Sequence, residues 1–121
     1  MDSKNDGKKK KTFEAYENAV AIARAMRPLV EVIRLHDVKL ADEAKRATQS
    51  IGLNVNEGNQ RTGKDKPHAF KVALGSTKEV VAALDQSDAW GYMSPDKTKN
   101  ARELLDREAA MLWRLIHPKN D

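Results

Sequence analysis

The chain has 121 residues, 40% of them hydrophobic and 33% charged, a balance typical of one soluble globular domain. It contains no cysteine, which excludes disulfides, thiolate metal sites and cysteine nucleophiles. The N-terminal segment has no apolar run of signal-peptide length, and no other run could span a bilayer, so we expect a cytoplasmic protein without membrane contact. The formal net charge of +4 and the sequence pI of about 9.4 permit a polyanionic partner.

Apolar residues recur at helical spacing in four segments, and no strand pattern or internal repeat is present. The first segment passes through Pro28 without a change of phase, which predicts one kinked helix rather than two. Glycines and prolines mark the later connections, among them the Ser94-Pro95 pair that is typical of a helix start. The sequence therefore predicts an all-α fold, an antiparallel up-down-up-down four-helix bundle. We expect a disordered basic tail over residues 1–11 and a bundle over 12–118, with helices at about 12–36, 38–59, 66–91 and 95–116.

A ribbon of polar side chains runs along one edge of the second predicted helix. At about 100° per residue, its members fall within one arc beside the apolar stripe of that helix. We interpret the ribbon as a structural edge, because buried polar edges usually serve packing specificity. Its members are Arg46, Ser50, Asn54 and Glu57, and Arg61 continues the same arc.

Sequence motifs for catalysis or cofactor binding fail on inspection. Gly58 is fifth from Asn54, whereas a calcium-binding EF-hand loop needs its glycine at the sixth position, and Gly58 suits a helix end instead. The run at 75–78 lacks the Gly-Lys-Ser/Thr order of a P-loop, and no Glu-x-x-His spacing of a di-iron bundle occurs. We therefore predict no enzyme activity, no cofactor and no metal site.

Two segments together resemble a known family. Residues 46–61 read RATQSIGLNVNEGNQR, which resembles the "RRA…SI..NIAEG..R" signature of the intervening-sequence proteins of bacterial 23S ribosomal RNA genes. Residues 70–92, with ALGS at 73–76 and GY at 91–92, resemble a helix of the same family. Two positions depart from the family pattern: Gly52 stands where proline is frequent, and Asn56 stands where alanine is usual.

The resemblance covers roughly residues 13–116 and carries several implications. It implies a non-enzymatic four-helix bundle that assembles into a homopentameric ring and has a nucleic-acid-associated role. More distant relatives are accessory proteins of diversity-generating retroelements, which bind nucleic acid and reverse transcriptase.

The third predicted helix has a second surface opposite its core stripe, and this surface indicates self-association independently of the resemblance. Small residues there would let another helix approach closely, and a tryptophan supplies an apolar anchor. Scattered exposed apolar residues are the alternative interpretation, but their clustering favours an oligomer interface. The predicted interface residues are Val72, Gly75, Ser76, Glu79, Ala82, Ala83 and Trp90, together with Leu53 of the second helix.

Glu108 lies in the middle of the apolar stripe of the fourth predicted helix. A buried carboxylate needs a partner or a proton. Arg27 and Arg34 border the stripe of the first helix, so we predict a structural ion pair, with a catalytic acid as the minor alternative.

The predicted topology gathers the N-terminal tail, the loop between the second and third helices and the C-terminus at one end. Cations there outnumber carboxylates, and a cyclic ring would repeat this end on one face. We predict a scaffold that binds RNA or DNA backbones with strong salt dependence and little sequence preference. The predicted contact residues are Lys8, Lys9, Lys10, Lys11, Arg61, Lys64 and Lys66.

Aromatic residues at this end are limited to Phe13 and Tyr16, which we expect the core to contain, so sequence-specific single-strand recognition is not predicted. Two alternatives stay open. In the first alternative, the lysine run is only a solubilising tail. In the second, the protein is a protein-binding adaptor without nucleic-acid affinity, and its partner docks on the ring or on the polar ribbon.

Overall fold

The computed structural model describes the backbone of residues 3–119 and the side chains of residues 10–119. Within this range the chain is helical apart from its short connections, which confirms the predicted all-α fold of four helices. The elements are α1 (Ser3–His36), α2 (Val38–Gln60), α3 (Asp65–Ala89), a 3-10 helix (Pro95–Thr98) and α4 (Lys99–Ile116).

The first helix is longer than predicted and is unbroken at its proline. Pro28 lies inside α1, so one helix rather than two spans this segment. The helix already begins at Ser3, so residues 3–11, which we predicted as a disordered basic tail, belong to α1 in the structure. Lysine is a good helix former and no proline occurs before Pro28, so the core-facing part of α1 can extend toward the N-terminus. Residues 1 and 2 lie outside the described residues.

The tight turn between α1 and α2 is tied to the connection between α3 and α4. Asp37 caps α2 by accepting a hydrogen bond from the backbone N–H of Leu40 at 2.9 Å. Its second carboxylate oxygen accepts from the Tyr92 hydroxyl at 3.2 Å. The ring of Tyr92 also stacks on that of His36, with centroids 5.0 Å apart. These contacts hold two chain connections together at one end of the bundle.

Two apolar clusters form the core and show how the helices pack. The larger cluster joins the late part of α1 and α3 to the early part of α2 and α4, including Ile33, Ala41, Leu84 and Ala101. At the opposite end, the early part of α1 and α3 packs with the late part of α2 and α4. That smaller cluster consists of Ala15, Val55, Phe70, Ala73 and Leu112. The early part of α1, the start of α3 and the last turns of α2 and α4 therefore share one end, called the basic end below.

Two glycines of α2 differ in what surrounds them. A Cβ added at Gly58 would lie 2.7 and 2.9 Å from ring carbons of Phe70, distances that atoms do not tolerate. Gly58 therefore does more than suit the end of α2, because it makes room for the aromatic ring of α3. A Cβ added at Gly52 would lie 3.8 Å from the Cβ of Ala19, an ordinary contact distance.

The same substitution at these two positions is therefore expected to change stability in opposite directions. Gly52→Ala should raise the free energy of unfolding by about 1 kcal/mol, because alanine loses less backbone entropy in a helix. Gly58→Ala gains the same propensity, but the clash with the buried ring of Phe70 should cost about 3 kcal/mol, the upper end for overpacking, so the net change should be a loss of about 2 kcal/mol. Urea unfolding followed by circular dichroism at one protein concentration measures both. Equal stability of the two variants would contradict the assigned role of Gly58.

Candidate functional site

The face formed by α2 and α3 carries three groups of polar contacts, one after another along the helices. Arg46 of α2 donates to Glu79 of α3 at 2.6 Å and to Glu43 on its own helix at 2.5 Å. One helical turn further, the hydroxyl of Ser76 donates to that of Ser50 at 2.7 Å. Two residue sets that we predicted as separate surfaces, the polar ribbon and the interface of α3, therefore contact each other.

Asn54 fixes the orientation of the serine pair. Its side-chain amide donates to the backbone carbonyl of Ser50 at 2.9 Å and to the Ser50 hydroxyl oxygen at 3.0 Å. Ser76 is buried. Ser50 and Arg46 of the ribbon therefore bond to α3, whereas Asn54 bonds within α2, and the role of the ribbon as a structural edge stays a prediction.

The third group of polar contacts lies in a shallow groove near the turn between α2 and α3. Arg61 donates from Nε to Glu57 at 2.7 Å and also forms a longer ion pair with Asp65. Leu53 and Val72 provide the apolar part of the groove and are 69% and 39% exposed. The other lining residues are Asn54, His68 and Ala69.

Some residues of the predicted oligomer interface are buried in the structure and others are exposed. Ser76 and Ala83 are buried within this chain, so their assignment to an outward surface is wrong: α2 covers Ser76, and Ala83 belongs to the larger core cluster. Leu53, Val72 and Trp90 are exposed large apolar side chains, and a Cβ at Gly75 would meet open space. Glu79 is exposed but forms a salt bridge with Arg46. The interface itself stays a prediction for these exposed residues.

The cations at the basic end differ in whether they are neutralised. Arg61 is held between Glu57 and Asp65, so its charge is largely compensated locally. Lys10, Lys11 and Lys64 are exposed and Lys66 is half-buried, and none of the four belongs to a salt bridge among the described residues. The side chains of Lys8 and Lys9 lie outside the described residues. The usable positive charge is therefore on lysines of α1 and α3, two helices that pack against α2 and α4 and lie diagonally across the bundle.

Exposed aromatic rings accompany these lysines. Phe13 and Tyr16 are exposed rather than contained in the core, which corrects our prediction. Sequence reasoning overlooked Trp113, which is 55% exposed and stacks on His117 with ring centroids 4.4 Å apart. A helical projection would have indicated it, because Trp113 follows the buried Leu112 directly and so points about 100° away from the stripe.

Glu108 is fully buried, and its partner is not the predicted arginine. The Asn18 amide donates to Glu108 Oε1 at 2.8 Å and to the carbonyl of Leu104 at 2.9 Å. Oε2 has no hydrogen-bond partner among the described residues. Arg34 instead pairs with Asp42 at 2.7 Å, because its side chain extends toward α2 at the far end of the bundle. The predicted ion pair with Arg27 or Arg34 is therefore wrong.

The surroundings of Glu108 favour its neutral form. Burial raises the pKa of Glu108 to about 7, and the hydrogen bond from Asn18 lowers it by less. A carboxyl group that is shielded from solvent and paired with one amide is placed to stabilise packing, not to meet a substrate. Among the described residues no cluster of His, Asp or Glu could hold a metal ion, and no helix is long and apolar enough to cross a membrane.

Glu108 should make the protein less stable as the pH rises. The unfolded carboxyl group titrates near 4.5 and the folded one near 7, so the folded state retains a proton that the unfolded state releases between these values. The free energy of unfolding should therefore fall by roughly 3 kcal/mol across this window and level off above it. Urea unfolding at pH 5 and pH 8 measures the change.

Glu108→Gln should remove most of this pH dependence while the amide still accepts from Asn18. Glu103→Gln, an exposed position on the same helix, is the matched control and should retain it. Parallel pH profiles for Glu108→Gln and the unaltered protein would show that the buried carboxyl group is not the source.

The comparisons with known proteins agree with this architecture. A sequence model described as "23S rRNA-intervening sequence protein" matches residues 11–114. A search of curated proteins returned no match. The fold is similar to that of a crystallised protein of unknown function from the S23 ribosomal protein family of Bacteroides thetaiotaomicron. The TM-score is 0.78 at 16% sequence identity, over 85% of this chain and 98% of the other. Because the family match spans most of the helical bundle, the chain belongs to the 23S rRNA-intervening sequence protein family.

Proposed function

We propose that this protein is a cytoplasmic, non-catalytic scaffold that binds the phosphate backbone of RNA or DNA through its basic end. The observation that carries the proposal is the set of lysines without salt-bridge partners: Lys10 and Lys11 on α1, and Lys64 and Lys66 at the start of α3. The core cluster of Ala15, Val55, Phe70, Ala73 and Leu112 includes residues of both helices, so the four lysines lie at the same end of the bundle. Lysines without acidic partners attract phosphates because binding releases the counterions of the nucleic acid.

Assembly would strengthen this field. We propose that the protomer is an antiparallel up-down-up-down bundle and that five copies form a ring through the exposed part of the α2–α3 face. Leu53 and Val72 are apolar, exposed and adjacent to the groove, which suits contact with a second copy. A cyclic ring would place every basic end on the same side and multiply the attraction for a polyanion.

Catalysis has little support from the chemistry of the side chains. Glu108 is buried away from solvent, and Glu57 is paired with Arg61. Among the described residues, neither carboxylate forms a hydrogen bond with a second acid, base or nucleophile, since Glu108 bonds to Asn18 and Glu57 to Arg61. The alternative function is a protein-binding adaptor without nucleic-acid affinity, and the apolar groove around Leu53 and Val72 is the feature that favours it.

Nucleic-acid binding should depend on where the lysines are, not only on how many there are. Replacing Lys10, Lys11, Lys64 and Lys66 with glutamine should weaken binding, because fewer phosphates are neutralised. The slope of log K against log salt should become shallower by about 0.9 for each phosphate that the variant no longer neutralises. Fluorescence anisotropy with labelled structured RNA and duplex DNA, at low and physiological salt, measures both quantities.

The matched control removes the same charge from the opposite end. Lys39, Lys45, Lys97 and Lys99 are exposed, and their replacement with glutamine should leave the salt slope nearly unchanged. Equal weakening by both quadruple variants would indicate a general charge effect. No binding by the unaltered protein at low salt would exclude the proposal and favour the adaptor.

Ring assembly should depend on the apolar part of the α2–α3 face. Sedimentation equilibrium of the unaltered protein should give a mass five times the 13.5 kDa of one chain. Leu53→Glu should shift it toward the mass of one chain, because an unpaired charge would be buried between copies. Leu35→Glu is the control, since Leu35 is 83% exposed on α1 outside this face. A monomeric unaltered protein, or a Leu53→Glu pentamer, would overturn the assembly proposal.

A further inference from the structure

Trp113 and His117 form a stacked pair at the C-terminal end of α4, and hydrogen bonds hold this pair in place. His117 is the C-cap residue of α4, and its backbone N–H donates to the carbonyl of Trp113 at 2.9 Å. Its ring Nδ1 lies 3.0 Å from the same carbonyl oxygen. Because a carbonyl only accepts hydrogen bonds, Nδ1 carries the proton in this contact. The imidazole is thereby held against the indole, with an interplanar angle of 29°.

The core at this end does not need Trp113. Its buried cluster includes Leu112, and Leu74, Met111, Leu115 and Ile116 pack against that cluster. Trp113 is absent from this set and is 55% exposed. A single exposed apolar residue is ordinary on a protein surface, but an exposed indole fixed by a second aromatic ring presents a flat stacking surface.

Positive charge flanks this surface on the neighbouring helix. Arg102 of α4 pairs with Asp85 of α3 at 2.7 Å, which fixes the register of these two helices. About three helical turns separate Trp113 from Arg102, and the same number separates Leu74 from Asp85. Trp113 is therefore level with Leu74, and the exposed Lys71 and Lys78 lie one turn to either side of that residue. Arg114 and Lys119 are also exposed at this end.

We propose that the Trp113–His117 stack binds an unpaired base of single-stranded nucleic acid, while Lys71 and Lys78 contact the phosphates on either side of that base. The proposal rests on the proposed function and specifies its ligand. Bases within a duplex are already covered on both faces by their neighbours, so only an unpaired base can use the platform. Aromatic platforms flanked by cations bind single strands with little sequence preference, because every base has a π-face.

The expected effect is a selective loss of single-strand affinity. Trp113→Leu should weaken binding of a labelled ten-nucleotide oligo(U) or oligo(dT) by roughly tenfold to a hundredfold, the range expected for one stacked base. Trp113→Phe should lose less, because it keeps a ring. Binding of a blunt RNA duplex, which uses only the lysines, should be unchanged. Leu35→Ala, at an exposed apolar position on α1, is the control for removing apolar surface.

Fluorescence gives a readout that a purely structural role would not produce. The chain has two tryptophans, so Trp90→Phe leaves Trp113 as the sole fluorophore and Trp113→Phe leaves Trp90. Oligo(U) should quench the fluorescence of Trp113 in the Trp90→Phe variant. The quenching should saturate, with the same midpoint as the anisotropy titration. The fluorescence of Trp90 in the Trp113→Phe variant should not change.

The outcomes separate this proposal from the proposed function. Oligo(U) binding without quenching of Trp113, or equal weakening of single-strand and duplex binding by Trp113→Leu, would overturn the stacking proposal alone. Absence of binding to both probes at low salt would overturn both. Thermal melts of each variant establish that it is folded before its affinity is compared.

Discussion

The closeness of α2 and α3 is the constraint on which the rest of this structure depends. The ring of Phe70 lies against the backbone at Gly58, a position where no side chain fits. That contact brings the two helices near enough for the Ser50 and Ser76 hydroxyls to meet at 2.7 Å. It also lets Arg46 span the seam to Glu79. The small and polar residues along this seam are therefore there because larger ones would separate the helices.

Buried polar groups define how α4 sits against α1. Asn18 reaches across to both a carbonyl of α4 and the carboxyl group of Glu108. An apolar pair of similar volume would pack as well, but it would tolerate several registers between the two helices. The amide and the carboxyl group meet in one register only, because any shift would break both hydrogen bonds of the Asn18 amide and leave further buried polar groups unpaired. Burying Glu108 costs free energy, and this cost would be higher in every register that separates Glu108 from Asn18. We therefore regard the buried pair as the source of the specific register between α1 and α4.

Arginine and lysine have different roles in this molecule. Every salt bridge among the described residues uses an arginine: Arg34, Arg46, Arg61 or Arg102. The planar guanidinium can satisfy two carboxylates at once, as Arg46 does with Glu43 and Glu79, whereas lysine is a strongly hydrated point charge. Arginines therefore fasten helices to one another, and lysines keep their charge available to a partner. The lysines that lie outside salt bridges support the proposed binding of phosphates more directly than the modest net charge of the chain does.

Periodicity and short motifs were enough to predict the number and phase of the helices, the continuity of α1 through Pro28 and the resemblance to the family that the comparisons then established. These features are local properties of the chain. The packing of the helices was needed to show why Gly58 is a glycine, that Glu108 pairs with Asn18, that Ser76 faces α2, and that Trp113 remains at the surface. Each of these depends on the register and spacing between helices. A helical projection shows which face a residue occupies, but not which residue on a neighbouring helix lies at the same height.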